Sequence, residues 1–281
     1  LVSLEKKTKM GWDITLKDWL QDRAQVLPSR IQGLKVLDLM CHTSGLRPWH
    51  HFFAECETGK PKPQNTAKER LLEHLQYVGF GSNKKRNYSD IGFIVLGLAL
   101  ELFQKKPLDQ LFLEFCQSDL GVEPELFFRP SVDQQKFCVP TGFCNLRKQE
   151  LSGVVHDENC GALGGVCGHA GLFGSGEGVI TYLRALMAHP VGQRILHKNT
   201  PTQYSCDGGW GWQRSKDYGC SFQSGQAVGH LGFTGTCFWL GEKNLEYGVL
   251  LTNRVVSGRQ VQPWMKKMRI EVFESFTQIL A

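Results

Sequence analysis

The sequence lacks an apolar run long enough to cross a membrane. Its longest, residues 91–100, spans ten positions, whereas a transmembrane helix needs about 20. It also lacks a strong charge of either sign, since the 281 residues carry a formal net charge of +5. The basic clusters at 84–86 and 266–267 are short and have no interleaved aromatic residues. We therefore expect solvated surface at both clusters and no nucleic-acid partner.

Common metal-binding patterns are also absent. The ten cysteines include no Cys-x-x-Cys pair, and no His-Glu-x-x-His occurs, so we expect no bound metal. Several cysteines lie among small residues, as Cys167 and Cys237 do, which predicts small buried thiols and is compatible with a reducing compartment. The chain opens without a signal-peptide pattern, which says little about export.

Glycine is concentrated in one segment. Residues 161–178 contain eight glycines but lack the Gly-Lys-Ser/Thr ending of a phosphate-binding loop and the preceding strand of a dinucleotide site. Glycine here indicates close approach of backbone to backbone or to a ligand. We expect no cofactor.

Hydrophobic periodicity predicts an α+β fold. The helices are predicted over 67–77, 91–103 with Asp90 as N-cap, 108–116, 179–188 and 264–280, and the strands over 227–231, 236–240 and 245–252. Residues 121–160 show little periodicity and predict a long irregular segment. We expect one domain, 1–281, with a helical lobe at about 35–200 and a sheet lobe at about 205–281 that includes the N-terminal helix.

Three groups of residues could carry chemistry. Asn-Tyr-Ser-Asp at 87–90 opens an apolar helix and can point into a cleft, although a capping sequence with an incidental tyrosine would look the same. Residues 229–236 form a glycine-containing strand whose N–H groups could face a substrate carbonyl, or an edge strand with bulges. The histidines and carboxylates in 155–159 and 168–173 could hold a metal, but their spacing favours a hydrogen-bond network.

In their order along the chain, these segments resemble the serine β-lactamase-like hydrolases, which include class C β-lactamases, penicillin-binding carboxypeptidases and related esterases. Leu-Met-Cys-His-Thr-Ser-Gly-Leu at 39–46 is similar to that family's Leu-Leu-x-His-Thr-Ser-Gly-Leu. Tyr-Ser-Asp at 88–90 is similar to its Tyr-x-Asn, and His-Leu-Gly at 230–232 stands where the family has Lys-Thr-Gly or His-x-Gly. Segments 139–173 and 250–255 look like one bacterial branch. Each match is weak alone, and the ordered set is specific.

The resemblance implies a β-lactamase/transpeptidase-like fold, an antiparallel sheet flanked by helices with a helical lobe, and acyl-enzyme chemistry on a small-molecule or peptide substrate. It implies a periplasmic or secreted location and leaves the oligomeric state open. The backbone N–H of Phe233 would be an oxyanion donor, and Gly232 would permit close approach. The implied catalytic residues are Tyr88, Asp90 and His230, and the implied substrate-binding residues are Gly232, Phe233, Thr234 and His169.

Two substitutions within these motifs bear on the substrate. Asp90 replaces the more usual Asn, and a carboxylate cannot donate a hydrogen bond to a substrate amide unless it is protonated. His230 replaces a lysine, which removes a fixed positive charge that would recognise a substrate carboxylate. Both changes favour ester or peptide substrates over β-lactams.

The family's nucleophile is the serine of a Ser-x-x-Lys motif. Ser-Leu-Glu-Lys at 3–6 has that form, but it lies closer to His42 than the family's nucleophile does, and it resembles the later part of the helix that carries the motif. We therefore expect the nucleophile and the first strands of the sheet upstream of Leu1, unless the protein has lost them. The sequence thus predicts a serine hydrolase or, alternatively, an inactive relative that binds a peptide or cell-wall fragment.

Overall fold

A computed structural model of the protein describes residues 12–53, 67–81, 86–196, 210–214, 227–241, 246–258, 260 and 263–279. The helices are α1 Leu16–Leu20, α2 Ser29–Gln32, α3 Val36–Met40, α4 Ala67–Leu75, α5 Asp90–Gln104, α6 Leu108–Glu114, α7 Val132–Gln135, α8 Glu158–Ala162, α9 Gly176–Ala188, α10 Pro190–Leu196 and α11 Pro263–Ile279. The strands are β1 Leu126–Phe128, β2 Gly142–Cys144, β3 Gln149–Leu151, β4 Leu172–Gly174, β5 Gln213–Arg214, β6 Ala227–Leu231, β7 Cys237–Gly241 and β8 Tyr247–Leu250.

The chain forms two compact units. The first contains the described parts of Leu1–Glu114 and Asp157–Leu172, and the second contains those of Phe115–His156, Phe173–Pro201 and Asp207–Ala281. Among the described residues, no helix is both long and apolar enough to span a bilayer.

The first unit is built around α5. Its apolar side chains recur on all sides and are buried, among them Ile91, Val95 and Ala99, which is typical of a helix enclosed by other elements. Helices α1, α3 and α6 pack against it. The predicted helix at 91–103 is confirmed, but its N-cap is Ser89 and not Asp90, which is the first helical residue.

The second unit contains a four-stranded antiparallel sheet in the order β5-β6-β7-β8. Strands β6 and β7 form a hairpin in which His230 is paired with Phe238. One face of this sheet buries Ala227, Cys237 and Trp239 against Phe273 of α11. The predicted strands and terminal helix are therefore confirmed, and so is the α+β class. Gly-Glu-Lys-Asn at 241–244 also predicts a hairpin turn between the last two strands, but residues 242–244 lie outside the described part of the chain.

The sequence predicted a long irregular segment over 121–160, and this prediction is wrong in part. It contains β1, α7, β2, β3 and the start of α8. Strands β2 and β3 pair with each other, with Gly142 opposite Leu151. Elements of three to five residues are too short to produce a detectable period, which explains why the pattern gave no signal here.

Among the residues that the structure describes, the cysteines follow the predicted pattern with one exception. The thiols at 116, 144, 160, 167 and 237 are free and buried, and Cys138 is free and half-buried. Cys41, however, is disulfide-bonded, so the prediction of a buried thiol is wrong at that position.

Candidate active site

His42 supports the segment that carries Tyr88. Its side chain is buried, and its backbone is left-handed, with φ +58°. The Nδ1 atom accepts a hydrogen bond from the Ser89 N–H at 3.1 Å, and the carbonyl accepts one from the Asn87 N–H at 2.9 Å. Two bonds from one residue thus fix the backbone on both sides of Tyr88.

The backbone reversal at His42 is held by the end of α3. The Thr43 N–H donates to the Asp38 carbonyl at 2.8 Å, and the Thr43 hydroxyl donates to the Asp38 carboxylate at 2.9 Å. A left-handed conformation is costly for a residue with a Cβ, and these bonds offset that cost. The His-Thr-Ser-Gly segment at 42–45 therefore holds the backbone of residues 87–90 in place, and we call it the bracket.

Ser89 connects this bracket to α5. Its hydroxyl accepts a hydrogen bond from the Gly92 N–H at 3.2 Å and donates one to the Arg47 carbonyl at 2.7 Å. The first bond caps α5, because it satisfies an N–H that has no partner within the helix. The second ties the same cap to the chain that follows the bracket.

Tyr88 lies on this support with its ring partly open to solvent. The ring centroid is 4.6 Å from that of His42, at an angle of 38°, and the residue is 43% exposed. Its hydroxyl is hydrogen-bonded to the Asp90 carboxylate. The phenol is thus fixed at the N-terminal end of a 15-residue helix, where the helix dipole favours nearby negative charge.

The carboxyl group of Asp90 is held away from water. Burial raises its pKa above the ordinary value of 3.8, although the charge of His169 acts in the opposite direction. The charge of Asp157 raises the pKa further, and the Tyr88 hydrogen bond lowers it. Asp90 therefore keeps its proton to higher pH than an exposed carboxyl does, and in that form it can donate a hydrogen bond as an asparagine would.

We expect Asp90→Asn to stabilise the protein increasingly as the pH rises. Because the pKa is raised in the folded state, the stability that the protonated carboxyl supplies is complete below 3.8 and is lost as the pH rises through the folded-state pKa. Asparagine does not titrate. The measurement is the difference in Tm between variant and wild type from pH 4 to 8. Asp133→Asn is the control, since that exposed side chain forms a surface ion pair with Lys136. If the Tm of Asp90→Asn relative to wild type falls as the pH rises, the prediction is wrong.

A second polar cluster lies in the first unit and consists of Asp157, Cys160, Cys167 and His169. The Asp157 carboxylate accepts hydrogen bonds from the Cys160 N–H at 2.7 Å and from His169 Nε2 at 2.9 Å. The predicted hydrogen-bond network is therefore present. Within the described parts of the chain, no group of three or more His, Cys, Asp or Glu residues is arranged to hold a metal ion.

The charges in this cluster favour an ion pair. Burial lowers the pKa of His169, but the hydrogen bond to Asp157 and the nearby Cys167 thiol outweigh burial and raise the pKa overall. The hydrogen bond from Cys160 lowers the pKa of Cys167 against the opposing effect of burial, and His169 lowers it further. The predicted substrate-binding residue His169 thus lies almost fully buried, with a side chain 4% exposed, between a carboxylate and a thiol.

In the second unit, the loop between β6 and β7 is a tight hairpin connection. The Gly232 N–H donates to the Thr236 carbonyl at 2.7 Å, and the Gly235 N–H donates to the Gly232 carbonyl at 3.1 Å. The second bond closes a β-turn with Phe233 and Thr234 at its centre. Gly235 has φ +105°, and a Cβ there would overlap the Thr252 hydroxyl, so the last residue of the loop must be glycine.

The N–H groups at the centre of this turn have no acceptor within the described part of the chain. Those of Phe233 and Thr234 make no hydrogen bond there, whereas those on either side are used to close the loop. The Phe233 ring is 52% exposed and lies 5.3 Å from the Arg254 guanidinium and 5.7 Å from the His156 ring. The turn can therefore present donors to a ligand without rearranging.

His230 precedes this turn on β6. Its Nδ1 donates to the Leu231 carbonyl at 2.9 Å, which in the neutral ring leaves Nε2 as the acceptor. The side chain is half-buried. The ring can thus accept a hydrogen bond at Nε2.

The structure brings the predicted residues together in two sets. Tyr88, Asp90 and His169 lie in the first unit, and His230, Gly232, Phe233 and Thr234 lie in the second. Their catalytic and binding roles remain predictions. Sequence reasoning missed His42 and Ser89 as supports, and also His156 and Arg254 beside Phe233. The His-Thr-Ser-Gly motif was the available signal for the first pair, whereas only the fold reveals the second.

Comparison with known proteins gives consistent matches. The family model described as Beta-lactamase matches residues 1–268. An N-acetylmuramyl-L-alanine amidase from Bacillus subtilis is 26% identical in an alignment 231 positions long that covers 72% of this chain and 52% of that protein. The chain therefore spans about half the length of that relative. Among solved structures, EstCE1, a hydrolase with promiscuous acyltransferase activity, superposes with a TM-score of 0.60 at 18% identity, over 95% of this chain and 80% of that one. A β-lactamase/D-alanine carboxypeptidase from Pseudomonas syringae superposes with a TM-score of 0.62 at 12% identity, over 95% and 78%. These superpositions confirm the predicted fold.

Proposed function

Because the chain belongs to the beta-lactamase family, we propose that it is part of a serine hydrolase that works through an acyl-enzyme. The substrate is an ester, amide or peptide. The nucleophilic serine lies in sequence that precedes Leu1. Its oxygen attacks the substrate carbonyl, the leaving group departs with a proton, and water then releases the acyl group.

The observation that carries this proposal is the placement of Tyr88. A serine hydroxyl needs a base to take its proton, and the base must be both fixed and accessible. The Tyr88 ring packs on His42, one hydrogen bond to His42 holds the backbone on each side of Tyr88, and the residue remains 43% exposed. A fixed and accessible ring is what a proton-transfer group requires.

The turn at 232–235 supports the same proposal. Acyl transfer develops negative charge on the carbonyl oxygen, and preorganised N–H donors stabilise that charge. The Phe233 N–H has no acceptor within the described residues, and the bonds that close the loop hold it in place. We assign the oxyanion contact to this N–H group.

The substrate class follows from the charges. His230 provides no fixed cation where a lysine would recognise a substrate carboxylate. A relative is named N-acetylmuramyl-L-alanine amidase, and an amidase acts on an amide. We propose that the substrates are esters or peptide-like amides, and we expect β-lactams to react more slowly than these.

Covalent labelling of the full-length protein tests this function. The protein is treated with a fluorophosphonate or a fluorescent penicillin, and the modified residue is mapped by mass spectrometry. We expect label on a serine upstream of Leu1. A modified Ser3, which lies outside the described residues, would overturn the position of the nucleophile but not the chemistry. No label on a verified full-length protein would overturn the hydrolase and favour an inactive peptide- or cell-wall-binding relative.

A further inference from the structure

The loop that follows α8 brings two free cysteines together. The Cys160 thiol donates to the Ala170 carbonyl at 3.3 Å, and the Cys167 N–H donates to the same oxygen at 3.3 Å. The Cys160 S–H can also donate to the Cys167 sulfur. Both thiols are free and buried. Cys160 of α8 and Cys167 of the loop thus meet at one carbonyl oxygen, which places their two reduced thiols near each other.

A histidine and a carboxylate complete the cluster. His169 Nε2 is held by Asp157 at 2.9 Å, so the remaining ring nitrogen is Nδ1. That atom is buried and makes no hydrogen bond of good geometry within the described residues, and the Cys167 sulfur lies within reach of the ring. An imidazole oriented by a carboxylate beside a thiol favours the thiolate, which is the reactive form of cysteine.

We propose that Cys167 and Cys160 are a redox-active pair that a hydroperoxide converts into a disulfide, with Cys167 as the thiol that reacts and Cys160 as the thiol that resolves. His169 and Asp157 are positioning residues for the reactive thiolate. This assignment goes beyond the hydrolase function and does not depend on it. The lowered pKa of Cys167 supports the choice of which thiol reacts first.

Disulfide formation takes place in two steps. The Cys167 thiolate attacks the O–O bond, so an S–O bond forms, the O–O bond breaks, and the departing alkoxide or hydroxide takes the proton of the His169 imidazolium. Cys167 is now a sulfenic acid. The Cys160 sulfur then attacks the Cys167 sulfur, an S–S bond forms, the S–O bond breaks, and water leaves with the Cys160 proton. Two thiols are oxidised by two electrons, and one hydroperoxide is reduced to an alcohol, or to water, and a further water.

Access to Cys167 favours a small oxidant. Cys167 lines a cavity of about 20 Å³ together with residues such as Gly97, Leu163 and Val166, which is room for about one water molecule. Hydrogen peroxide is the hydroperoxide closest to that size. We therefore expect hydrogen peroxide to react faster than tert-butyl hydroperoxide.

The loop backbone is anchored on one side of the reactive thiol. A Cβ at Gly168 would overlap the Phe93 carbonyl and lie 3.3 Å from the Gly97 nitrogen, so this part of the loop rests directly on α5. On the other side, Gly164 and Gly165 both have positive φ, conformations that glycine adopts readily. The segment between the cysteines can thus adjust toward the S–S bond length of about 2.05 Å.

Mass spectrometry of the full-length protein tests the pair. The protein is exposed to hydrogen peroxide for increasing times, free thiols are blocked with iodoacetamide, and disulfide-linked peptides are identified. We expect a 160–167 disulfide to form at least ~10-fold faster than any oxidation of Cys116, because reactivity follows thiolate character. Cys116 is a matched internal control, since it is also free and fully buried but burial raises its pKa to about 11.

Variants separate the roles. Cys160→Ser should leave a sulfenic acid on Cys167 that dimedone traps, whereas Cys167→Ser should abolish rapid oxidation at Cys160. His169→Asn should slow oxidation of Cys167 by ~10-fold, since it removes the cation that favours the thiolate, and Tm values identify any variant that fails to fold. Oxidation of Cys160 and Cys167 no faster than that of Cys116, or a Cys167 disulfide to a different cysteine in the wild type, would overturn the proposal.

Discussion

We expect Tyr88→Phe to lower the acylation rate constant of the full-length protein by about 10²- to 10⁴-fold, the usual contribution of a positioned acid–base group. The substitution removes the hydroxyl that is bonded to Asp90 but keeps the ring beside His42. Tm should therefore change little. The measurement is the rate of covalent labelling by a fluorophosphonate, or of hydrolysis of an activated ester, at saturating enzyme and fixed pH.

The matched control for this variant is Tyr77→Phe. Tyr77 is 73% exposed, follows α4 in the same unit, and loses the same hydroxyl without affecting the bracket. It should retain the wild-type rate. Equal rates for Tyr88→Phe and Tyr77→Phe would eliminate the tyrosine as the proton-transfer group and, with it, the main support for a catalytic role of this site.

The second large effect is expected from Phe233→Pro. Proline has no N–H, so the variant removes the proposed oxyanion donor, which is typically worth about 10²- to 10³-fold in kcat. Phe233 occupies the second position of the turn closed between Gly232 and Gly235, where proline is well tolerated. The loop should therefore keep its shape while it loses one donor.

Phe233→Ala is the comparison that isolates the N–H. Both variants lose the ring and its contacts with Arg254 and His156, but only proline loses the donor. We expect the alanine variant to react at least ~100-fold faster than the proline variant. If the two variants react equally slowly, the ring and not the backbone N–H matters, and the oxyanion contact lies elsewhere.

The fold was predictable where its elements are long. Helix α5 and the hairpin of β6 and β7 extend over enough residues for periodicity to show. The exact start of α5 was not predictable, because the choice between Ser89 and Asp90 as N-cap depends on a long-range hydrogen bond to Arg47. Both residue types cap helices well, and Ser89 takes the position while it also bonds the Arg47 carbonyl. The disulfide of Cys41 left no spacing signal at all.

The candidate site was predictable as motifs but not as contacts. The Tyr-Ser-Asp and His-Leu-Gly segments could be selected from the sequence because their order along the chain resembles that of a known family. The function of His42 depends on a left-handed backbone, and the Cys160–Cys167 contact depends on how a glycine-rich loop closes. Neither can be deduced from residue types, because both arise from conformations that only the folded chain fixes.

The Ser89 hydroxyl makes two hydrogen bonds, so the position of Tyr88 depends on the first turn of α5. One hydroxyl accepts from the first turn of α5 and donates to the Arg47 carbonyl, so opening of that turn also releases the backbone beside Tyr88. In amide hydrogen exchange, the Ser89 and Gly92 protons should therefore share a single protection factor. The phenol that we propose for proton transfer would then be in place only while the first turn of α5 is formed, and the lifetime of that turn would limit how long the site stays assembled.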